Sequence, residues 1–267
     1  MQHPTYEVVI IGGSYAGLSA ALALGRARRS VLVVDAGEPC NRFTPHAQNF
    51  LTRDGPPPAE LRRLAEVDVR RNPTVNFYEG RINGIEGEEN DFQLMLKAGG
   101  LVTARRIIVA VGVIDLLEDI PGLAECWGTS VIHCPYCHGY EFADQPTGYL
   151  NNSPAIPFFS KMLLNWTSEL KIFTNGSASF PPEEFNKLNV AVEEREVAEI
   201  RHNDGHLHEL VFTDGSTSTL AALYYHPPFR LGSESITGFT PELTETGHIL
   251  VDEEQRTSIP GIFAIGD

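Results

Sequence analysis

A chain of 267 residues with 42% hydrophobic content is long enough to bury one large core or two modest ones. Its formal net charge of −15 argues against nucleic acid and anionic membrane surfaces as partners, and no apolar run approaches the length of a membrane span. The start, MQHPTYEVVIIGG, has no basic-then-apolar leader, so the four cysteines suit a reducing cytoplasm, where a C-x-x-C pair means redox or metal work.

In chain order, residues 7–11 (EVVII) form a short β-branched run that predicts a buried parallel strand. It runs into Gly12-Gly13-Ser14-Tyr15-Ala16-Gly17, and an Ala/Leu-rich helix is predicted over 18–29. A second buried strand, 30–34, ends on Asp35. Strand, glycine turn, helix, strand and acid in this register are the dinucleotide fingerprint: a tight turn, a helix N-terminus aimed at pyrophosphate, and a carboxylate for ribose hydroxyls. Ser14 departs from the middle glycine of that pattern, and its hydroxyl offers a phosphate oxygen a hydrogen bond instead. Residues 40–58 read as a loop and 59–71 as a helix. Short strands over 75–106 are predicted to form a β-meander. A buried strand over 107–111 ends at Gly112, where a cofactor has room to approach, and a domain boundary is predicted at 114–121.

Beyond that boundary stands Cys134-Pro135-Tyr136-Cys137-His138. Two thiols three apart close or release a small disulfide ring, and the lower-pKa partner is the nucleophile in exchange. His133 and His138 flank the pair, and an imidazole can take or give a proton near neutral pH. C-x-x-C-H is also the haem-attachment pattern, but haem attachment goes with export and a leader. Zinc would want a second pair of ligands, whereas Cys40 and Cys126 are single and far apart, so no metal site is predicted. Two idle, buried thiols are the remaining reading. Downstream, 148–155 (GYLNNSPA) stands where a second nucleotide-binding turn would begin, with a helix over 158–166 and a strand over 170–173. Strands recur at 190–194, 199–202 and 207–213, with hairpin turns at Asp204-Gly205 and Asp214-Gly215. The final stretch, 260–267, reads as a strand running into Gly266-Asp267.

Taken in order, IIGGSYAG, Asp35 in VVDAGEP, IIVAVG, CPYCHGYE and GIFAIGD closely resemble the thioredoxin-reductase-like, low-molecular-weight flavoproteins of the pyridine-nucleotide-disulfide oxidoreductase superfamily. The resemblance covers essentially the whole chain. It implies an α/β protein with two Rossmann-like three-layer domains: an FAD-binding domain from 1–116 and 244–267, and an inserted NAD(P)-type domain over 117–243 that carries the dithiol. By that similarity Gly12, Gly13, Ser14, Ala16 and Gly17 surround the FAD pyrophosphate, and Asp35 takes the adenosine ribose. Gly112 and Asn49 lie near the cofactor, and Asp267 bonds the ribityl chain. The family pattern assigns Cys137 as the sulfur nearest the flavin and Cys134 as the interchange thiol. His138 stands where relatives place an acid that protonates the leaving thiolate. The implied function is FAD-dependent thiol–disulfide exchange with a thioredoxin-like protein or a small dithiol or disulfide, carried out by a homodimer.

Two departures qualify this. GYLNNSPA has one glycine, Pro154 removes an N–H near the helix start, and TNGSASFPPEE brings two acids and no arginine, so NADPH is a poor fit to the second turn. That favours a dithiol oxidase of the gliotoxin type, which the CPYCHGYE form resembles, or a reductase with another donor such as ferredoxin. The second departure is that Asp267 ends the sequence where relatives begin a helix against the flavin. A fragment with weaker FAD retention, or a non-catalytic member of the fold, is the corresponding expectation.

Overall fold

A computed structural model describes residues 4–153, 156–181, 185 and 188–267; Pro154 and the two acids of the 174–184 segment lie outside the described residues. Strand β1 (Thr5–Ile11) carries the first apolar run, and both of its faces are covered. Val9 and Ile11 enter one core with Val34, Ile107 and Phe92, while Val8 and Ile10 enter another with Leu18, Ala21 and Val33. Alternating side chains feeding two cores explain why the strand is continuously apolar rather than alternating.

Helix α1 (Tyr15–Arg26) begins three residues earlier than the composition predicts, with Ser14 as its N-cap. Gly17 is the reason: a Cβ there would lie 1.9 Å from the Gly12 carbonyl oxygen, so the glycine is a contact inside the helix rather than part of the turn. Strand β2 (Val31–Asp35), helix α2 (Pro58–Arg70) and strand β3 (Val75–Glu79) follow, and β3 pairs parallel to β2. This corrects the meander expected from residue 75: helix α2 makes a second crossover, and the antiparallel run starts only at β4 (Ile82–Glu88), β5 (Asp91–Leu96) and β6 (Leu101–Val109). Strand β6 returns beside β1 in parallel, giving the order β3-β2-β1-β6-β5-β4. The crossover at β1 is the switch point at which such sheets bind ligands. Strand β7 (Val113–Asp115) ends this part of the chain.

A second parallel sheet follows. After a helical turn, α3 (Leu123–Cys126), come β8 (Val131–Ile132), a one-turn helix α4 (Pro135–His138) and β9 (Thr147–Leu150). Helix α5 (Ile156–Leu163) leads to β10 (Leu170–Phe173) and β11 (Ala191–Glu193). An antiparallel trio, β12 (Val197–Asn203), β13 (His206–Phe212) and β14 (Thr217–Thr219), turns at the two Asp-Gly pairs. Strand β15 (Ala222–Tyr225) completes the parallel order β11-β10-β9-β15-β8. The chain then gives β16 (Phe229–Leu231), antiparallel to β7, and β17 (Ile262–Ala264), parallel to β6.

One unit takes the chain up to Arg42, Ala59–Asp115 and Phe229–Asp267; the other takes Phe43–Pro58 and Leu116–Pro228. Two expectations change. Residues 229–243 belong with the first unit rather than the insertion, because Ile236 and Phe239 join the core of Ile85 and Phe92, and the Ile85 N–H donates to the Thr237 carbonyl at 2.8 Å. Asn49 belongs with the second unit, since the whole Phe43–Pro58 segment does. Among the described residues no helix is long and apolar enough to cross a membrane.

Candidate active site

The carboxyl ends of β1, β2 and β6 open on a cavity of about 430 Å³ lined by Gly12, Gly13, Ser14 and Asp35, with Arg42, Arg81, Lys97 and Arg230 as its cations. That volume is in the range of ligand sites. Gly12 sits at φ +108°, and a Cβ there would meet the Ala110 carbonyl oxygen at 2.2 Å, so only glycine makes this turn. Helix α1 has no acid in its first turn and no side-chain cap from Ser14, so the partial positive charge of its N-terminus is left for an anionic ligand. Asp35, on the last residue of β2, accepts the Gly13 N–H at 2.9 Å. Arg62, from helix α2, pairs with the other Asp35 oxygen and donates to the Gly13 carbonyl at 3.1 Å. Asp35 and Gly13 are thereby held together by Arg62.

A second cavity of about 200 Å³ contains Gly112, Gly266 and Asp267, with Val111 lining both cavities. Gly112 has φ +64° and open space where a Cβ would stand, as a position approached by a ligand needs. Gly266 lies against Ala16 of the α1 start, 3.1 Å from Cβ to Cβ position. Thus the fold gathers Gly12, Gly13, Ser14, Asp35, Gly112 and Asp267 around two adjoining cavities and places Ala16 and Gly17 in the helix behind them. Asn49 lines neither; it has φ +61° and its N–H donates to Asp54 at 2.7 Å. A glycine turn at a helix N-terminus, a carboxylate at a strand end and an adjoining cavity fit a dinucleotide such as FAD.

In the second unit, Cys134 is the N-cap of the Pro135–His138 turn, and Pro135 at the first helical position presets its backbone. The N–H groups of Cys137 and His138 each donate to the Cys134 carbonyl at 3.2 Å. The Cys134 thiol is lowered to about 6, chiefly by the hydrogen bond from the Cys137 thiol, then by the N–H groups of Cys137 and Tyr136 and the charge of His133, against a burial that opposes them. Cys137 moves up for the converse reason: it donates that hydrogen bond, it is partly buried, and it faces the Cys134 charge. One turn therefore holds an acidified nucleophile and a thiol that keeps its proton. Burial lowers the His138 imidazole, partly offset by Glu141, and a neutral ring beside the pair is suited to accept a proton. Burial raises the thiols of Cys40 and Cys126, which lack the setting of a reactive cysteine. Among the described residues no group of three or more His, Cys, Asp and Glu side chains is placed to hold a metal ion.

The second glycine turn is closed on itself. After β9, the Asn152 side chain donates to the Ser177 carbonyl at 2.9 Å and accepts the Ser179 N–H at 2.7 Å, and the Ser179 hydroxyl donates to the Asn152 carbonyl at 3.1 Å. Glu194 accepts the Ala178 N–H at 2.6 Å, which places an acid in the same loop.

Sequence reasoning missed Arg62 and His226. No local pattern links Arg62 to Asp35, and His226 meets His133 only through the pairing of β15 with β8.

The profile of the pyridine nucleotide-disulphide oxidoreductase family matches residues 6–156. Thioredoxin reductase tcpT of Claviceps purpurea is 32% identical over 281 residues, spanning 98% of this chain and 86% of that protein. An oxidoreductase structure from Agrobacterium tumefaciens is 39% identical with a TM-score of 0.89, covering 98% and 90% of the two chains. A putative thioredoxin reductase TrxB structure from Bacillus anthracis is 29% identical, also at 0.89, over 97% and 89%.

Proposed function

Because the chain belongs to the pyridine nucleotide-disulphide oxidoreductase family, as a thioredoxin-reductase-like FAD-dependent thiol–disulfide oxidoreductase, we propose that Cys134 and Cys137 are its redox pair. Cys134 exchanges with the external thiol or disulfide, and Cys137 is the inner sulfur. The observation that carries this is the placement of both thiols in one helical turn, Cys134 at its N-cap and Cys137 inside it, an arrangement that acidifies Cys134 and holds the proton on Cys137. His138 serves as the proton acceptor and donor for Cys137. Gly12, Gly13, Ser14 and the α1 start hold the pyrophosphate, Asp35 the adenosine ribose, and Gly112 and Asp267 the flavin side. Bound FAD supplies the two-electron acceptor or donor for the dithiol. Asn49, on the Phe43–Pro58 segment, is the remaining candidate for the flavin side. By its resemblance to such flavoproteins the protein works as a homodimer, and the C-x-x-C pair suits the cytoplasm.

A second reading, oxidation of a small dithiol with oxygen as the final acceptor, is favoured by the Asn152 strap and by the absence of arginine among residues 174–181, which leave the 2′-phosphate of NADPH without a clamp. Exchange between dithiothreitol and an aromatic disulfide tests the main reading. Replacing either cysteine by serine is expected to reduce the rate by about a thousandfold or more. Rates within twofold of wild type in both variants would reject the assignment.

A further inference from the structure

The parallel sheet of the second unit brings the ends of β8 and β15 together, since Tyr224 pairs with Ile132. The next residue after Ile132 is His133, and the second after Tyr224 is His226. Their rings stand 4.5 Å apart between centroids at 75°, edge to face. Behind His226 the rings of Phe159, at 4.5 Å, and Tyr149, at 5.5 Å, close the other sides. Its Nδ1 is buried and has no hydrogen-bond partner. A buried ring nitrogen without a partner costs free energy, so it calls for a use. His133 in turn directly precedes Cys134.

We propose that His133 and His226 form the proton-holding pair of the interchange thiol: His133 takes the proton released at Cys134 and carries the charge opposite its thiolate, and the unpaired His226 nitrogen accepts a hydrogen bond from the charged ring. This rests on the thiol-exchange reading above. In the oxidised protein, one thiol of an external dithiol attacks Cys134 Sγ and its proton passes to His133. A substrate–Cys134 bond forms, the Cys134–Cys137 bond breaks, and its electron pair goes to Cys137 Sγ. The second substrate thiol then attacks the first substrate sulfur, closing the substrate disulfide. Cys134 leaves as thiolate beside charged His133, and the second proton goes to Cys137. The substrate loses two electrons and two protons, and the cysteine pair gains the two electrons. Reduction of an external disulfide is the same sequence reversed.

His226 is a positioning residue that acts through His133. Its own imidazole is pushed down to about 4, first by burial and then by His133, so at neutral pH it is an uncharged acceptor. Of the other titratable groups on these elements, Tyr149 of β9 packs against His226, Cys137 is hydrogen-bonded to Cys134, and Glu141 acts on His138 and on Tyr224 of β15. Burial raises both tyrosines, which stay neutral.

The test is the pH dependence of iodoacetamide labelling at Cys134 in the reduced holoprotein, read by peptide mass, beside the rate at which a small dithiol reduces the disulfide. His133→Asn is expected to raise the labelling midpoint by about one unit and slow labelling near pH 6 about tenfold. His226→Phe, which keeps a ring without the acceptor, should shift the midpoint in the same direction, and His226→Gln, which restores an acceptor, should recover part of it. If wild type reduces its disulfide normally while the midpoint is unmoved in His133→Asn, or in His226→Phe, the pair is rejected and the exchange reading stands. If wild type exchanges no electrons with dithiols, both fall.

Discussion

At the scale of single residues, the site turns on how an ordinary thiol becomes a nucleophile. Cys134 reaches about 6 because its sulfur receives a thiol hydrogen bond and two N–H groups at the start of a helical turn, with the charge of His133 added. A thiol with a depressed pKa is a thiolate above that value, so labelling of Cys134 should be near maximal at pH 7 and fall as pH drops through 6. Cys137 should label far more slowly across this range. Mass spectrometry after brief alkylation distinguishes the two, and equal labelling at pH 7 would contradict the split. His226 gives a stability prediction of the opposite kind. Its folded value of about 4 lies below the ordinary imidazole value of about 6.5, so the unfolded chain takes up a proton first as pH falls. Its contribution is present above about 6.5 and is lost as pH falls towards 4. His226→Phe should therefore lose less stability between pH 7 and 4.5 than wild type does, measured by urea unfolding. Gly12→Ala, which forces a Cβ to 2.2 Å from a backbone oxygen at φ +108°, should cost more than about 1 kcal/mol.

At the scale of elements, the first βαβ unit is steadied from outside itself. Helix α2 supplies Arg62 to both Asp35 and Gly13, joining the acid at the end of β2 to the glycine turn. Arg62→Ala should weaken FAD binding by about 1–2 kcal/mol, roughly 5–30-fold in dissociation constant, read from flavin fluorescence on dilution. An unchanged constant would show that Asp35 needs no such partner. The turn and its acid were legible beforehand because their chemistry is written within one stretch: apolar strand, glycines, helix, strand, Asp35. The dithiol was legible for the same reason. Arg62 was not, since 27 residues separate it from Asp35 and only the packing of α2 joins them. Strand β3 was misplaced because VNFYE reads alike as a meander strand or a parallel one, and the crossover by α2 decides between them. The return to the first unit at Phe229 was equally hidden, because Ile236 and Phe239 lie in an irregular segment with no periodicity to announce their core.

At the scale of the whole molecule, two sheets of like order carry different edges. In the first unit, glycines and a helix N-terminus leave the strand ends open around two adjoining cavities. In the second, Asn152 ties the corresponding turn to Ser177 and Ser179, and imidazoles and aromatic rings fill the ends of β8 and β15. The first edge suits a bound dinucleotide; the second suits a dithiol in a self-closed setting. NADPH is accordingly expected to reduce the bound flavin far more slowly than a small dithiol does, a comparison made by stopped flow without oxygen.

The most direct measurement is the visible absorbance of the flavin under anaerobic conditions as a small dithiol is added to wild type and to Cys137→Ser. Electron transfer through the Cys134–Cys137 pair predicts bleaching in wild type and none on the same timescale in the variant. Bleaching at equal rates in both, or in neither with FAD bound, would contradict it.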